Sequence, residues 1–351
     1  MSLVTRVIGR FLDDRIVERQ RRRRWHPVVK EMHRRARRSW RNLVPVYDRT
    51  SAIKPGARLL MTMARNENTR IPYFLEYYRN LGIDHFLAVD NKSDPPMADV
   101  LHDQADVSLW TTEEEYEDTR FGVDWMNALL GQYAVGHWVL TADLDEFLVF
   151  PFIGQRSYGE LLSFLDDSLK PSFFTPQVDM YPKGPIASAH VPVGESPLQH
   201  APYFDGLGCY EIKGGHEDTW VRGGPRLRAF NPGNFEEAPA LNKTALVKWH
   251  QRFAYYLSTH VAYPQFLNHA HTKYHEPTGA LLHFKFVSSF REKVHYAIKQ
   301  KNHYNDSNEY KKYLASLEKS ESYSLYSPIS RKYEGPESLI QANLMTSGCW
   351  K

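Results

Sequence analysis

Asp143 and Asp145 stand one residue apart, Glu146 follows directly, and the three acids come straight after the apolar run Trp138-Val139-Leu140. Such a run reads as a buried strand. The acids then fall at its C-terminal end, the edge at which open α/β sheets bind ligands. Carboxylates brought that close repel one another and need a compensating cation. Hard oxygen ligands suit Mg²⁺ or Mn²⁺, ions that share their coordination shell with substrate phosphates. The pattern points to a metal-diphosphate site. An Asp-x-Asp tripeptide by itself arises by chance on the order of once in a chain of this length. The strand before it and the apolar Phe147-Leu148-Val149-Phe150 after it give it weight.

Other chemistry-bearing residues are scattered. There are sixteen histidines, yet no His-Glu-x-x-His or paired Cys/His spacing makes a zinc site. His269, His271 and His275 crowd a polar stretch that reads as surface loop. His283 follows Leu281-Leu282 and precedes Phe284, a strand-end position from which it completes the metal shell or binds diphosphate alongside Lys285. A satisfied core histidine is the alternative. In Gly214-Gly215-His216-Glu217-Asp218-Thr219-Trp220, adjacent acids follow flexible backbone. A carboxylate carried by such a loop suits a general base, with Glu211 and Asp205 as rivals and a plain solvated loop as the alternative.

The elements that must hold these residues alternate. Residues 58–64 read as a first strand, ending in Asn66-Glu67-Asn68; residues 71–81 read as a helix closed by Gly82. A second strand at 85–89 runs into the polar turn Asp90-Asn91-Lys92-Ser93-Asp94. A helix near 97–104, a strand at 107–110 and a helix at 121–134 lead to the strand before Asp143. This order predicts an α/β, mostly parallel, Rossmann-like sheet with right-handed crossovers. Neither of the first two strands ends in a glycine-rich phosphate loop, which disfavours a dinucleotide fingerprint or P-loop. Residues 151–300 are punctuated by Gly184-Pro185, Gly223-Gly224-Pro225 and Asn231-Pro232-Gly233, and read as loops over the sheet edge rather than a separate core.

The series Ala64-Arg65-Asn66-Glu67, Gly82-Ile83-Asp84-His85-Phe86, Val89-Asp90-Asn91-Lys92-Ser93-Asp94 and Asp143-Leu144-Asp145-Glu146-Phe147 resembles family 2-like glycosyltransferases, in the bacterial branch similar to the family 92 enzymes. The likeness covers about residues 58–150 and returns at Leu241-Asn242-Lys243-Thr244, Thr259-His260, Leu282-His283-Phe284 and Lys293. It implies a GT-A type fold with a more variable C-terminal acceptor half, and transfer of a sugar from a nucleoside-diphosphate donor, a UDP-sugar foremost. It also implies roles. Asn66, Glu67, Asp90 and Asn91 would contact base and ribose, and Asn127 would lie near the nucleotide. Asp145 would bind the metal, with Asp143 on the ribose or the metal shell, and Glu217-Asp218 would supply the base of an inverting reaction. An ordinary Asx turn at Asp90 and a solvent-facing Asn127 are the bland alternatives. Two other classes stand beside it: a metal-dependent nucleotidyltransferase or phosphohydrolase, and a non-catalytic scaffold.

Charge is divided unevenly along the 351 residues. Residues 1–49 carry fourteen Arg and one Lys against five acids, which leaves 29 basic and 36 acidic side chains beyond. Val4, Val7, Ile8, Phe11, Leu12 and Ile16 recur at helical spacing within this arm, and Arg21-Arg22-Arg23-Arg24 follow. A basic amphipathic extension suits an anionic membrane surface, here through residues 1–45; packing on the body or on a second subunit is the bland alternative, and nucleic acid is the least favoured. The expected division is an extension at 1–50, a transferase domain at 51–300 (nucleotide-binding half 51–150) and a tail at 301–351. Two distant cysteines, no spanning apolar run and no secretory signal read as cytoplasmic, with the enzyme peripheral on the inner face of the plasma membrane beside a glycan or lipid-linked acceptor.

Overall fold

The computed structural model describes residues 26–206, 209–214, 219–268, 276–300, 308–318, 320 and 322–351. The strands are β1 (Val44–Tyr47), β2 (Leu59–Ala64), β3 (His85–Asp90), β4 (Val107–Thr111), β5 (Trp138–Thr141), β6 (Glu146–Val149), β7 (Ser172–Phe173) and β8 (Gln177–Asp179). They continue as β9 (Tyr203–Asp205), β10 (Tyr210–Gly214), β11 (Thr219–Gly223), β12 (Leu246–Lys248), β13 (Ala254–Leu257), β14 (Val261–Tyr263), β15 (Ala280–His283) and β16 (Ser330–Lys332). The longer helices are α1 (Pro27–Ser39), α2 (Ile71–Leu81), α3 (Val123–Tyr133), α4 (Tyr158–Asp167), α5 (Phe290–Gln300) and α6 (Asn308–Leu317).

Seven strands form the main sheet in the order β1-β4-β3-β2-β5-β12-β7. β4, β3, β2 and β5 are mutually parallel, while β1 and β12 run against them at either side. β7 is antiparallel to β12, so five of the seven strands point one way. Leu60, Phe86, Ala88 and Leu140 enter one core cluster, and Leu59, Met61, Leu87, Val89 and Val139 enter another. The alternation means both faces of the sheet are covered, as a parallel sheet requires. α2 covers the first face with Ile71, Phe74, Leu75 and Tyr78, spaced for one side of a helix. Burying each such side chain stabilises by about 1.5–3 kcal/mol. The helix stops at Gly82, whose φ of 111° is open to glycine without strain.

A second sheet, β6-β15-β8, receives the chain directly after the acidic segment. Tyr78 ties α2 to it: the hydroxyl donates to the Glu146 carbonyl oxygen (2.8 Å) and accepts from the Leu148 amide (3.1 Å). The Asp143–Asp145 bend is thus strung between two anchored strands.

The outer segments are integrated rather than appended. β1 joins the main sheet, and α1 packs on α3 and β13 through buried Val29, Met32 and Ala36. The apolar stripe Val4–Ile16 lies outside the described residues. β7 and β12 carry the main sheet into the second half, where Phe230, Phe286, Phe290 and Tyr313 gather a smaller core, against the expectation of loops alone. The tail returns to the body: β16 pairs with β9, and Trp350 packs on Phe150, Phe152 and Phe164. Among the described residues no helix is long and apolar enough to cross a membrane.

Candidate active site

Three neighbouring parallel strands, β3, β2 and β5, end on one edge of the main sheet, and the chain leaves them at Asn91, Arg65 and Ala142. That edge therefore carries Asp90-Asn91, Asn66-Glu67 and Asp143-Asp145 together. β12 runs antiparallel to β5 and begins at the same edge, delivering Lys243 three residues before its first residue. β15 ends there too, with His283 paired opposite Glu146 on one side and Asp179 on the other.

His283 is buried, and its Nδ1 lies 2.6 Å from Asp179 Oδ1. Desolvation holds the imidazole below its usual pKa, although Asp145 and Asp179 pull the other way. The neutral ring donates its single N–H from Nδ1 to Asp179, which leaves the Nε2 lone pair free. Burial opposes ionisation of Asp179, but Arg226 and His283 outweigh it and keep the carboxyl well below the usual range. Arg226 Nη2 sits 2.9 Å from the same Nδ1, a contact between two donors and so no hydrogen bond. Its protons go to Asp179 Oδ1 (2.8 Å) and Gln177 Oε1 (3.1 Å). The free Nε2 faces Asp145 Oδ1 across 3.8 Å. That separation is too long for a hydrogen bond.

Around Asp145 the charges are positive. Arg70 Nη2 is 3.9 Å from Oδ2. Burial works against ionisation of Asp145, yet the cations Arg70, Lys293 and Lys285 prevail and lower its pKa strongly. Arg70 and Lys293 both pair with Glu67, the former at 2.8 Å, and Lys285 pairs with Glu309 at 3.3 Å. Asp143 behaves oppositely. Desolvation by the surrounding groups, the charge of Glu146 and that of Asp145 push its pKa up against the pull of Lys243, although the side chain itself reaches solvent. Glu146 faces inward: its Oε1 takes Lys243 Nζ at 2.8 Å and Gln177 Nε2 at 2.5 Å in a buried ion pair. It fixes the bend and holds Lys243, leaving Asp143 and Asp145 at the edge.

The residues expected at the nucleotide are tied into the loops. Asp90 accepts from the Ser93 amide (2.9 Å) and the Met97 amide (2.8 Å), one per oxygen, so it does hold an Asx-type turn. Asn66, at φ 59°, accepts from the Asp94 amide at 2.8 Å, and Asn91 donates to the Glu114 carbonyl oxygen at 3.0 Å. Asn127 is buried, and its amide exchanges two hydrogen bonds with the main chain of Tyr255 (2.9 and 2.8 Å), so it cross-links α3 to β13 rather than facing solvent. Glu217 and Asp218 lie outside the described residues, between β10 and β11 in the chain. Asp205, a rival base, is fully buried and held by Arg228 and Tyr181. Sequence reasoning passed over Asp179, Arg226 and Arg70. Only Asp179 left a trace, as one of two polar residues alternating about Val178 in a three-residue strand.

Asp145 and His283 offer one oxygen and one nitrogen; the carboxylate suits Mn²⁺ or Mg²⁺, and the imidazole favours Mn²⁺, a transition metal, over Mg²⁺. A buried histidine whose far nitrogen is fixed by a carboxylate is the common arrangement of a metal-bound imidazole. Among the described residues no group of three or more His, Cys, Asp or Glu is placed to hold a metal ion. Most of such an ion's shell would therefore have to come from phosphate and water.

No family model matches the chain, and a comparison with curated proteins returns no match. Among solved structures it is similar to HddC from Yersinia pseudotuberculosis, at 10% identity and a TM-score of 0.28, over 55% of this chain and 73% of that one. It is also similar to the inositol-1-phosphate CTP transferase from T. maritima, at 10% identity and a TM-score of 0.25, over 83% and 96%.

Proposed function

We propose that the chain is a metal-dependent glycosyltransferase of GT-A type, moving a sugar from a nucleoside-diphosphate donor, foremost a UDP-sugar, to a hydroxyl of a glycan or lipid-linked acceptor with inversion. The observation that carries the reading is the free Nε2 of His283, fixed from behind by Asp179 and facing Asp145 on the edge where three strand ends gather. Asp145 and His283 would hold Mn²⁺ or Mg²⁺, with Asp143 on the donor ribose or reaching the ion through water. Bound there, the ion supplies positive charge to the departing diphosphate.

The chain's own residues do the rest. Glu67, Asp90 and Asn91 border the space for base and ribose. The acceptor oxygen forms its bond to the anomeric carbon as the bond to the diphosphate oxygen breaks. Its proton passes to a carboxylate, Asp218 before Glu217, and the nucleoside diphosphate leaves with the electron pair. Arg70, Lys285 and Lys293 offset the charge that accumulates on it.

The test separates this from a nucleotidyltransferase or phosphohydrolase, which also uses paired acids after a strand. The protein is incubated with Mn²⁺ and either nucleotide sugars or nucleoside triphosphates. Release of a nucleoside diphosphate from a nucleotide sugar is expected. Release of inorganic diphosphate or phosphate from the triphosphates, with nucleotide sugars inert, would refute sugar transfer.

A further inference from the structure

Residues 27–41 present two opposed faces. Val29, Met32, Ala36 and Ser39 recur at helical spacing and are buried against the body. Arg35, at the border, is committed inward: it pairs with Asp124 at 2.8 Å and donates to the Asp118 carbonyl oxygen at 2.8 Å. Lys30, Arg34, Arg37, Arg38 and Arg41 are all exposed. With 3.6 residues per turn Lys30, Arg34, Arg37 and Arg38 fall within an arc of about 100°, on the side away from the buried residues, and Arg41 follows in the tighter turn Trp40–Asn42. Among the described residues only Arg34 of the five has an ion-pair partner, Glu31 at 2.5 Å.

Like charges four residues apart, as in Lys30/Arg34, Arg34/Arg38 and Arg37/Arg41, disfavour the helix that carries them. Packing of the opposite face keeps the arc from turning away, so the cations form a fixed platform. Three residues beyond Arg41, the edge strand β1 exposes Val44 (56%) and, at the bulge between Pro45 and Tyr47, Val46 (39%). The rest of the chain has more acids than bases.

We propose that this face docks the protein on an anionic lipid surface, with the five cations against headgroup phosphates and carboxylates and the two valines in the interfacial layer. The exposed apolar pair beside the cations favours lipid over nucleic acid, whose backbone asks only for charge. The inference is independent of the reaction proposed above, since it needs neither donor nor metal.

Co-sedimentation of the full chain with vesicles of phosphatidylcholine and phosphatidylserine, against phosphatidylcholine alone, tests it. Each cation beside an anionic surface strengthens partitioning by about fivefold. The combined Lys30→Gln, Arg37→Gln, Arg38→Gln and Arg41→Gln protein should therefore bind at least about a hundredfold more weakly. Its thermal unfolding should not fall, because all four side chains are exposed and their removal relieves like-charge repulsion along the helix. Neutralising four exposed cations elsewhere (Lys311→Gln, Arg331→Gln, Lys332→Gln, Lys351→Gln) should change binding by no more than about twofold. The proposal is overturned if the wild-type chain ignores phosphatidylserine, or if the first variant binds as well as wild type. Tighter binding to duplex DNA or to RNA than to vesicles, lost in the same variant, would also overturn it.

Discussion

His283 depends on the side chain behind it. Asp179 fixes the Nδ1–H form of the ring and so decides that the free lone pair points toward Asp145. Asp179→Asn keeps the shape but removes the charge. Loss of such a supporting carboxylate typically weakens metal binding by 10–100-fold. The variant should need about that much more Mn²⁺ for half-maximal activity, with turnover at saturating Mn²⁺ close to wild type. A Mn²⁺ requirement equal to wild type would show that Asp179 is only a structural partner of Arg226. The roles of Asp143 and Asp145 diverge although their spacing treats them alike: one lies beside Glu146, the other within reach of Arg70 and His283.

The antiparallel strand β12 brings Lys243 under the acidic bend, where it neutralises Glu146 in a buried pair. Lys243→Met leaves the Glu146 charge buried and uncompensated, a change that typically costs about 3–5 kcal/mol. Urea unfolding should report a loss of that order, and adding Glu146→Gln to the same protein should recover much of it. If the double variant is no more stable than the single one, the pair is not what holds the bend. β2, β3, β5 and α2 were legible in the sequence because a covered parallel sheet needs unbroken apolar runs and a surface helix needs its 3.6-residue stripe. β7, β8 and β12, of two or three residues each, are too short to show any period, although β7 and β12 complete the main sheet and β8 presents Asp179. Arg226 was invisible for a related reason. Its partners Gln177 and Asp179 lie 49 and 47 positions away, and no local pattern announces a contact made only by folding.

Considered whole, the molecule buries histidines that must stay neutral. His260 is half-buried beside Lys243, and desolvation lowers its pKa to about 3, while His85 and His283 are lowered by burial as well. Their unfolded counterparts take up a proton near pH 6.5, so below that value the unfolded state binds more protons than the folded one. The stability they contribute is complete above about pH 6.5 and declines as pH falls toward the folded values, by at most about 1.4 kcal/mol per pH unit for each. Urea midpoints should therefore drop between about pH 7.5 and pH 5, less steeply in His260→Gln; an identical slope in that variant would remove His260 from the account. The central claim is that Asp145 and His283 hold a divalent ion together with a nucleoside-diphosphate sugar. Thermal unfolding with a panel of nucleotide sugars, with and without Mn²⁺, tests it most directly. For wild type, Mn²⁺ and one nucleotide sugar together, at about a hundredfold excess over Kd, should add about 2.7 kcal/mol of stability, with little from either alone. Asp145→Asn should unfold cooperatively yet gain nothing from the pair. Stabilisation of Asp145→Asn equal to wild type, or the same gain for wild type with Mn²⁺ withheld, would contradict the claim.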